Sequence, residues 1–264
     1  MTTIAFIGAG NIAKALMGGY MAARPGGEVW AADPIETQLA TLPEGIHTTT
    51  SNLEAAEGAD IVVLCVKPNM LGEICQSLQS IAADKLFISV AAGITCHSLL
   101  QWLGPNTAII RCMPNTPALV GAGMTGLFAT ANASDRQKSE GAEILATVGS
   151  ILWFDVETEL DAVTAVSGSG PAYFFLMLEA MQAAAIKLGL TPDVAKTLVE
   201  QTAFGAIEMA MQSEVTAAEL RHNVTSPGGT TAAAIGVLEA NGFEETIFEA
   251  LTAAADRSKA LSDG

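Results

Sequence analysis

The sequence predicts an α/β protein in which an N-terminal doubly wound sheet is followed by an all-α C-terminal half. Three observations carry this. A strand, a glycine-rich turn and a helix start follow one another from Thr3; short apolar runs then alternate with helical stretches to about Phe154; beyond residue 155 strand-like runs cease and long Ala-rich helical stretches take over.

The first element is the run Thr3-Ile4-Ala5-Phe6-Ile7-Gly8-Ala9-Gly10-Asn11-Ile12-Ala13-Lys14-Ala15-Leu16. A short buried strand leads through a tight turn into a helix, in the Gly-x-Gly-x-x-Ala form of the dinucleotide fingerprint. Gly8 permits the turn, Gly10 lets the backbone approach a pyrophosphate, and Ala13 lets the helix pack on the strand. The helix start offers unpaired N–H groups and a positive dipole end to phosphates. The other reading of these residues is a glycine-rich turn that holds no ligand.

Apolar runs at Glu28 to Ala32, Ile61 to Val66, Leu86 to Val90 and Ala108 to Arg111 are short and bounded by turn residues, as buried parallel strands are. Thr37 to Leu42, Asn69 to Ala82 and Thr95 to Leu103 read as the helices between them, with Asn69 as an N-cap. Met124 to Ala129 and Ser150 to Phe154 add strands around a helix from Asp135 to Thr147. This alternation is that of a Rossmann-like sheet. Asp33 lies twenty residues beyond Ala13, at the end of the second strand. There a carboxylate either accepts hydrogen bonds from an adenosine ribose and repels a 2′-phosphate, which favours NAD over NADP, or caps the next helix.

In the C-terminal half, helices are read over Pro171 to Leu188, Pro192 to Gln212, Ala217 to His222, Thr231 to Ala240 and Phe243 to Ala260. Thr191 and Pro192 open one, Thr216 and Glu219 form a capping box, and Gly189 and Gly242 stand at helix ends. The first carries Phe174, Phe175, Met177, Leu178, Met181 and Leu188 around most of its circumference, so it needs burial on several sides. We expect a second subunit to supply part of it. The expected division is a dinucleotide-binding domain over residues 1–155 and a helical dimerisation and substrate-binding domain over 156–264.

Composition narrows the function. Hydrophobic residues make up 50% of the 264 and charged residues 15%, yet polar groups interrupt every apolar stretch before the roughly 18 to 20 residues of a membrane span. With no basic leader ahead of the fingerprint, a cytoplasmic protein is expected. Twelve basic against 28 acidic residues give a net charge of −16, which argues against nucleic acid as a partner. It does not forbid an anionic cofactor, because backbone dipoles make local positive sites on acidic proteins. Cys65, Cys75, Cys96 and Cys112 occur singly and His47, His97 and His222 are scattered, so reduced thiols and no metal site are expected.

Three further stretches are more than simple turns. Arg111-Cys112-Met113-Pro114-Asn115-Thr116-Pro117 follows a strand, at the end of the sheet where ligands bind, or is a rigid loop shaped by its prolines. Val166-Ser167-Gly168-Ser169-Gly170-Pro171-Ala172-Tyr173 enters the apolar helix, with a hinge as its plainest reading. Asn223-Val224-Thr225-Ser226-Pro227-Gly228-Gly229-Thr230-Thr231 opens another helix. Its glycines, hydroxyls and helix N–H groups suit a small carboxylate, or form only a cap.

Taken together with Phe6-Ile7-Gly8-Ala9-Gly10-Asn11, Val66-Lys67-Pro68 and Ala91-Ala92-Gly93, these stretches resemble, in order and along nearly the whole chain, the motifs of pyrroline-5-carboxylate reductase. The resemblance implies reduction of the cyclic imine 1-pyrroline-5-carboxylate to L-proline by NADPH or NADH, the last step of proline synthesis. It also implies a nucleotide-binding N-terminal domain and a helical C-terminal domain that forms intertwined homodimers or higher homo-oligomers. Carried over by motif, Gly8, Gly10, Asn11 and Ile12 hold the pyrophosphate, with Asn52, Lys67, Pro68, Ala91 and Ala92 along the rest of the cofactor. Ser226, Gly228, Gly229, Thr230 and Thr231 hold the substrate, with the Thr231 hydroxyl near the imine nitrogen as the catalytic contact. Asp33 departs from the Ser, Asn or Arg that many members use for a 2′-phosphate, so the resemblance leaves the choice between NADP and NAD open for this chain.

No motif contains a Lys, His or carboxylate suited as an obligatory general acid, so the expected chemistry is hydride transfer by positioning. Two other readings of the same features stand beside it. One is a reductase of another small imine or keto acid; the other is a non-catalytic NAD(P)-binding sensor.

Overall fold

The computed structural model describes residues 2–262. Strands β1 (Thr3–Ile7), β2 (Glu28–Ala32), β3 (His47–Thr49), β4 (Ile61–Leu64), β5 (Leu86–Ser89), β6 (Ala108–Met113), β7 (Gly123–Ala129) and β8 (Gly149–Trp153) form one sheet in the order β3-β2-β1-β4-β5-β6-β7-β8. Between them run α1 (Asn11–Ala23), α2 (Glu36–Leu39), α3 (Asn52–Glu57), α4 (Pro68–Leu78), α5 (Cys96–Leu103) and α6 (Asp135–Ala146). The chain winds outward from β1 to β3, then returns to β1's other side at β4, so the switch point lies between β1 and β4.

Period-two alternation sorts the strand residues onto two faces. Ile4, Phe6, Val63, Ile88 and Ile110 meet Leu16 and Met17 of α1 and Ile144 and Leu145 of α6. Ala5, Ile7, Val62, Leu64, Phe87 and Ile109 meet Ala55 of α3, Leu71 and Leu78 of α4 and Leu99 of α5. A strand buried on both faces reads as a continuous apolar run, which is why these runs were visible in the sequence. Helix α6 seats closely: a Cβ added to Gly141 would lie 2.5 Å from Ile110 Cδ1.

The sheet departs from the expected pattern in three places. β3, which no apolar run announced, pairs along the edge of β2, and α3, equally unannounced, packs on the face of the sheet with Ala5 and Ile7. β7 runs antiparallel to β6, because the connection from Met113 to Gly123 is too short for a helical crossover; β8 returns parallel to β7 through α6. Helix α4 starts at Pro68 with Lys67 as N-cap, so Asn69 lies inside it rather than capping it.

Beyond the sheet lie α7 (Glu159–Val163), a π-helical turn (Thr164–Gly168), α8 (Gly170–Lys187), α9 (Pro192–Gln212), α10 (Ala217–Asn223), α11 (Thr230–Ala240) and α12 (Phe243–Ser262). Thr216 and Glu219 form the expected capping box, and Gly189 and Gly242 take positive φ at the ends of α8 and α11. No helix among the described residues is long and apolar enough to cross a membrane.

The chain divides into two compact units. One runs through Pro171 and takes in the chain again from Ala253; the other is Ala172–Thr252. Within the second unit only Ala195 and Val199 are buried hydrophobic residues, while Phe174, Phe175, Phe204 and Phe248 are each more than 60% exposed. A helical unit with its aromatic residues outward is incomplete on its own, which matches the wide apolar surface read from the sequence.

Candidate active site

At the switch point, Gly8 has φ +99° and donates its N–H to Ala32 O at 2.7 Å. A Cβ there would lie 2.7 Å from the Cys65 carbonyl oxygen, so the turn admits only glycine. Gly10 is the N-cap of α1 with extended backbone, and a Cβ on it would meet nothing within 4 Å. No side chain caps α1, and no acidic residue lies in its first turn. The N–H groups of Asn11 and Ile12 thus belong to a bare helix N-terminus facing open space, a cradle that fits a pyrophosphate.

The neighbouring strand ends bring the other expected cofactor residues to the same unit. A cavity of about 300 Å³ is lined by Gly8, Ala32, Pro34, Asn52, Val66 and Met70. Asn52 is the first residue of α3, whose cap is Ser51, and exposed Lys67 and Pro68 open α4. Ala91 is buried and Ala92 half-buried just beyond β5, where Ser89 Oγ accepts the Ala91 N–H at 3.4 Å. A larger cavity of about 440 Å³, beside Tyr20, Arg24 and Glu143, lies at the opposite end of β1 and β4; open α/β sheets bind ligands at the carboxyl ends of their strands.

Asp33 faces the fingerprint turn. Its Oδ2 accepts the Ala9 N–H at 2.9 Å and its Oδ1 the Ile35 N–H at 2.9 Å. Ile35, not Asp33, is the N-cap of α2, so the carboxylate serves the turn and not the helix.

The first two unassigned loops pack against each other. Asn115 Nδ2 donates to Ser167 O at 3.0 Å while its Oδ1 accepts the Met124 N–H at 2.9 Å, and a Cβ on Gly168 would lie 2.5 Å from Met113 Cε. The π-helical turn is held at this point, as such turns often are near functional sites. Arg111, 5% exposed inside β6, pairs with Glu157 at 2.7 Å, and the same Glu157 oxygen accepts the Cys96 N–H at 2.7 Å. Sequence reasoning did not pick out Glu157. A lone Arg in an otherwise apolar strand was the one sign that such a partner existed.

The third loop lies in the second unit. Gly228 takes φ +72°, Gly229 caps α11 with extended backbone, and Gly229 donates its N–H to Ser226 O at 3.0 Å. This turn sets Ser226, Gly228 and Gly229 around the N-terminus of α11, whose first residues are Thr230 and half-buried Thr231. No side chain caps this helix, and its first turn holds no acidic residue. Two bare helix N-termini, one in each unit, are therefore available to anions.

All four cysteines are free. Burial pushes the thiols of Cys65, Cys75 and Cys96 up to about 12, and that of Cys112 higher still. None is a nucleophile near neutral pH. No cluster of metal-ligating side chains occurs among the described residues.

The fold and the turn at its switch point define an NAD(P)-dependent oxidoreductase of the Rossmann type. Residues 3–93 match the family model described as NADP oxidoreductase, coenzyme F420-dependent, and residues 157–261 match that described as pyrroline-5-carboxylate reductase dimerisation. A pyrroline-5-carboxylate reductase of Pseudomonas aeruginosa is 50% identical over 98% of this chain and 97% of its own. A solved pyrroline-5-carboxylate reductase of Coxiella burnetii superposes with a TM-score of 0.94 at 42% identity, covering 99% and 98% of the two chains. A pyrroline carboxylate reductase of Plasmodium falciparum, solved with NADP bound, gives 0.89 at 32% identity over 99% and 98%. The chain belongs to the pyrroline-5-carboxylate reductase family.

Proposed function

We propose that this protein reduces 1-pyrroline-5-carboxylate to L-proline with NADPH or NADH, as the last step of proline biosynthesis, in the cytoplasm and as a homodimer or higher homo-oligomer. The observation that carries the reading is the bare, glycine-capped N-terminus of α11, an anion site with hydroxyls and no competing charge, joined to a chain with a dinucleotide turn. Residues 1–155 serve the nucleotide, and residues 156–264 serve dimerisation and the substrate.

In this reading the backbone at Gly8, Gly10, Asn11 and Ile12 holds the pyrophosphate, Asp33 meets the adenosine ribose, and Asn52, Lys67, Pro68, Ala91 and Ala92 line the rest of the cofactor. The bound nicotinamide supplies the hydride. Ser226, Gly228, Gly229 and Thr230 hold the substrate carboxylate by hydrogen bonds and the helix dipole. The imine enters or becomes protonated, with the Thr231 hydroxyl donating a hydrogen bond to the ring nitrogen while it is neutral or relaying a proton to it, and the imine carbon accepts hydride. Nucleic acid and membrane have no part in this reaction.

The test is a steady-state assay with pyrroline-5-carboxylate, following oxidation of NADPH and NADH in parallel. Turnover with either supports the proposal. A folded protein that binds nucleotide and turns over neither overturns it.

A further inference from the structure

The loop Ala91-Ala92-Gly93, which follows β5, is covered by the last turn of the chain's final helix. Gly93 is buried with φ +73°, and a Cβ on it would lie 2.7 Å from Leu261 Cβ and 3.0 Å from the Leu261 carbonyl oxygen. Leu261 is 46% exposed, so what presses on the loop is the helix backbone and the base of its side chain rather than a buried apolar knob.

That helix end is anchored. Ser258 Oγ donates to Asp161 at 2.7 Å, both groups being more than 90% buried, and this bond joins α12 to α7 across the sequence. One helical turn separates Ser258 from Leu261 and Ser262, and Ser262 Oγ donates back to Ser258 O at 3.2 Å. On the loop's other flank, Glu157 accepts the N–H of Cys96 at the start of α5 while holding Arg111 of β6. The loop is thus fixed at Ala91 by Ser89, at Gly93 by Leu261 and at Cys96 by Glu157. A hydrophobic-core role does not account for this arrangement. An apolar contact would bury a side chain, whereas here an exposed residue sets a backbone against a glycine that nothing larger can replace.

We propose that the last turn of α12, anchored by Ser258 on Asp161, is a positioning element for the nucleotide: it sets the conformation of the Ala91-Ala92-Gly93 turn along the cofactor. The inference rests on the reading that Ala91 and Ala92 line the cofactor. Leu261 and Ser258 touch neither cofactor nor substrate in it; they act through Gly93.

The experiment compares nucleotide Kd by titration calorimetry, and KM for nucleotide and for pyrroline-5-carboxylate, in four proteins: the full chain, a chain ending at Ala260, Ser258→Ala and Ala92→Asp. Removal of the last turn is expected to raise nucleotide Kd and KM roughly tenfold while substrate KM stays within about twofold, since a small misplacement of a positioning loop is felt at the group it holds. Ser258→Ala gives a smaller rise in the same direction and serves if the shortened chain does not fold. Gly93→Ala adds a coupling test: it harms the full chain more than the shortened one, because the shortened chain lacks the clashing residue. If Ala92→Asp weakens nucleotide binding while neither the shortened chain nor Ser258→Ala does, the inference is overturned and the reading of the loop stands. If none of the three weakens it, the loop does not line the cofactor and both fail. Equal losses in nucleotide and substrate KM, tracking a fall in Tm, would reduce the contact to general stability and overturn the inference.

Discussion

Asp33 Oδ2 lies 2.9 Å from the backbone nitrogen of Ala9, in the middle of the Gly8-Ala9-Gly10 turn. The same carboxylate is tied by Ile35, so it is held at the end of β2 with its negative charge against the turn. A ribose 2′-hydroxyl can donate to such a group, whereas a 2′-phosphate meets charge repulsion. Asp33→Ser is therefore expected to raise kcat/KM for NADPH relative to NADH by roughly tenfold, equivalent to about 1.4 kcal/mol. Parallel kinetics with both cofactors check this; an unchanged ratio places the ribose away from Asp33.

Thr231 stands on the first turn of an uncapped helix and is half-buried. If its hydroxyl meets the ring nitrogen in the transition state, Thr231→Ala lowers kcat and kcat/KM together by about 10- to 100-fold, while Thr231→Ser keeps most activity. A variant with unchanged kcat and KM removes the residue from the chemistry.

Glu157 joins Arg111 and the Cys96 N–H through one oxygen. Glu157→Gln retains a neutral acceptor but leaves a nearly buried guanidinium without its counter-charge, so a loss of about 1 to 3 kcal/mol is expected. Chemical denaturation reads it directly. A change below the scatter of surface substitutions would show that solvent already satisfies Arg111.

The thiols predict an alkaline limit. Buried Cys75 and Cys96 stay protonated to about 12, whereas the unfolded chain loses these protons near 9. Between those values the native state binds more protons than the unfolded state, so stability falls as pH rises from about 9 towards 12, by up to about 1.4 kcal/mol per pH unit and thiol. Denaturation midpoints across this range check the slope, and Cys75→Ala flattens it. Iodoacetamide at pH 8 is expected to leave Cys75, Cys96 and Cys112 of the folded protein unmodified.

What the sequence made legible follows from the reach of its signals. β1, β4 and β5 were visible because burial on both faces makes their runs uniformly apolar, and the helices from Pro192 and Ala217 because their caps are local. β3 is a three-residue, largely polar edge strand and α3 a single short helix, so neither has a periodicity to detect. The reversal of β7 depends on connection length, not on residues. Within the candidate site, the glycine turns at Gly8 and Gly228 announced themselves, since few residues tolerate such φ values. The Glu157 contact with Arg111 spans 46 positions and that of Ser258 with Asp161 spans 97, and no local pattern encodes either.

The placement of α12's end in the first unit bears on how the protein is made. Synthesis runs from the N-terminus at about 5 to 20 residues per second, and domains generally fold as they emerge. Here the sheet can assemble while translation continues, but the Asp161 side chain waits for Ser258 and the Gly93 turn for Leu261. The nucleotide-binding half is completed only after the helical half has been synthesised. A nascent chain stalled before Ala253 thus holds a formed sheet whose Gly93 turn still lacks its cover.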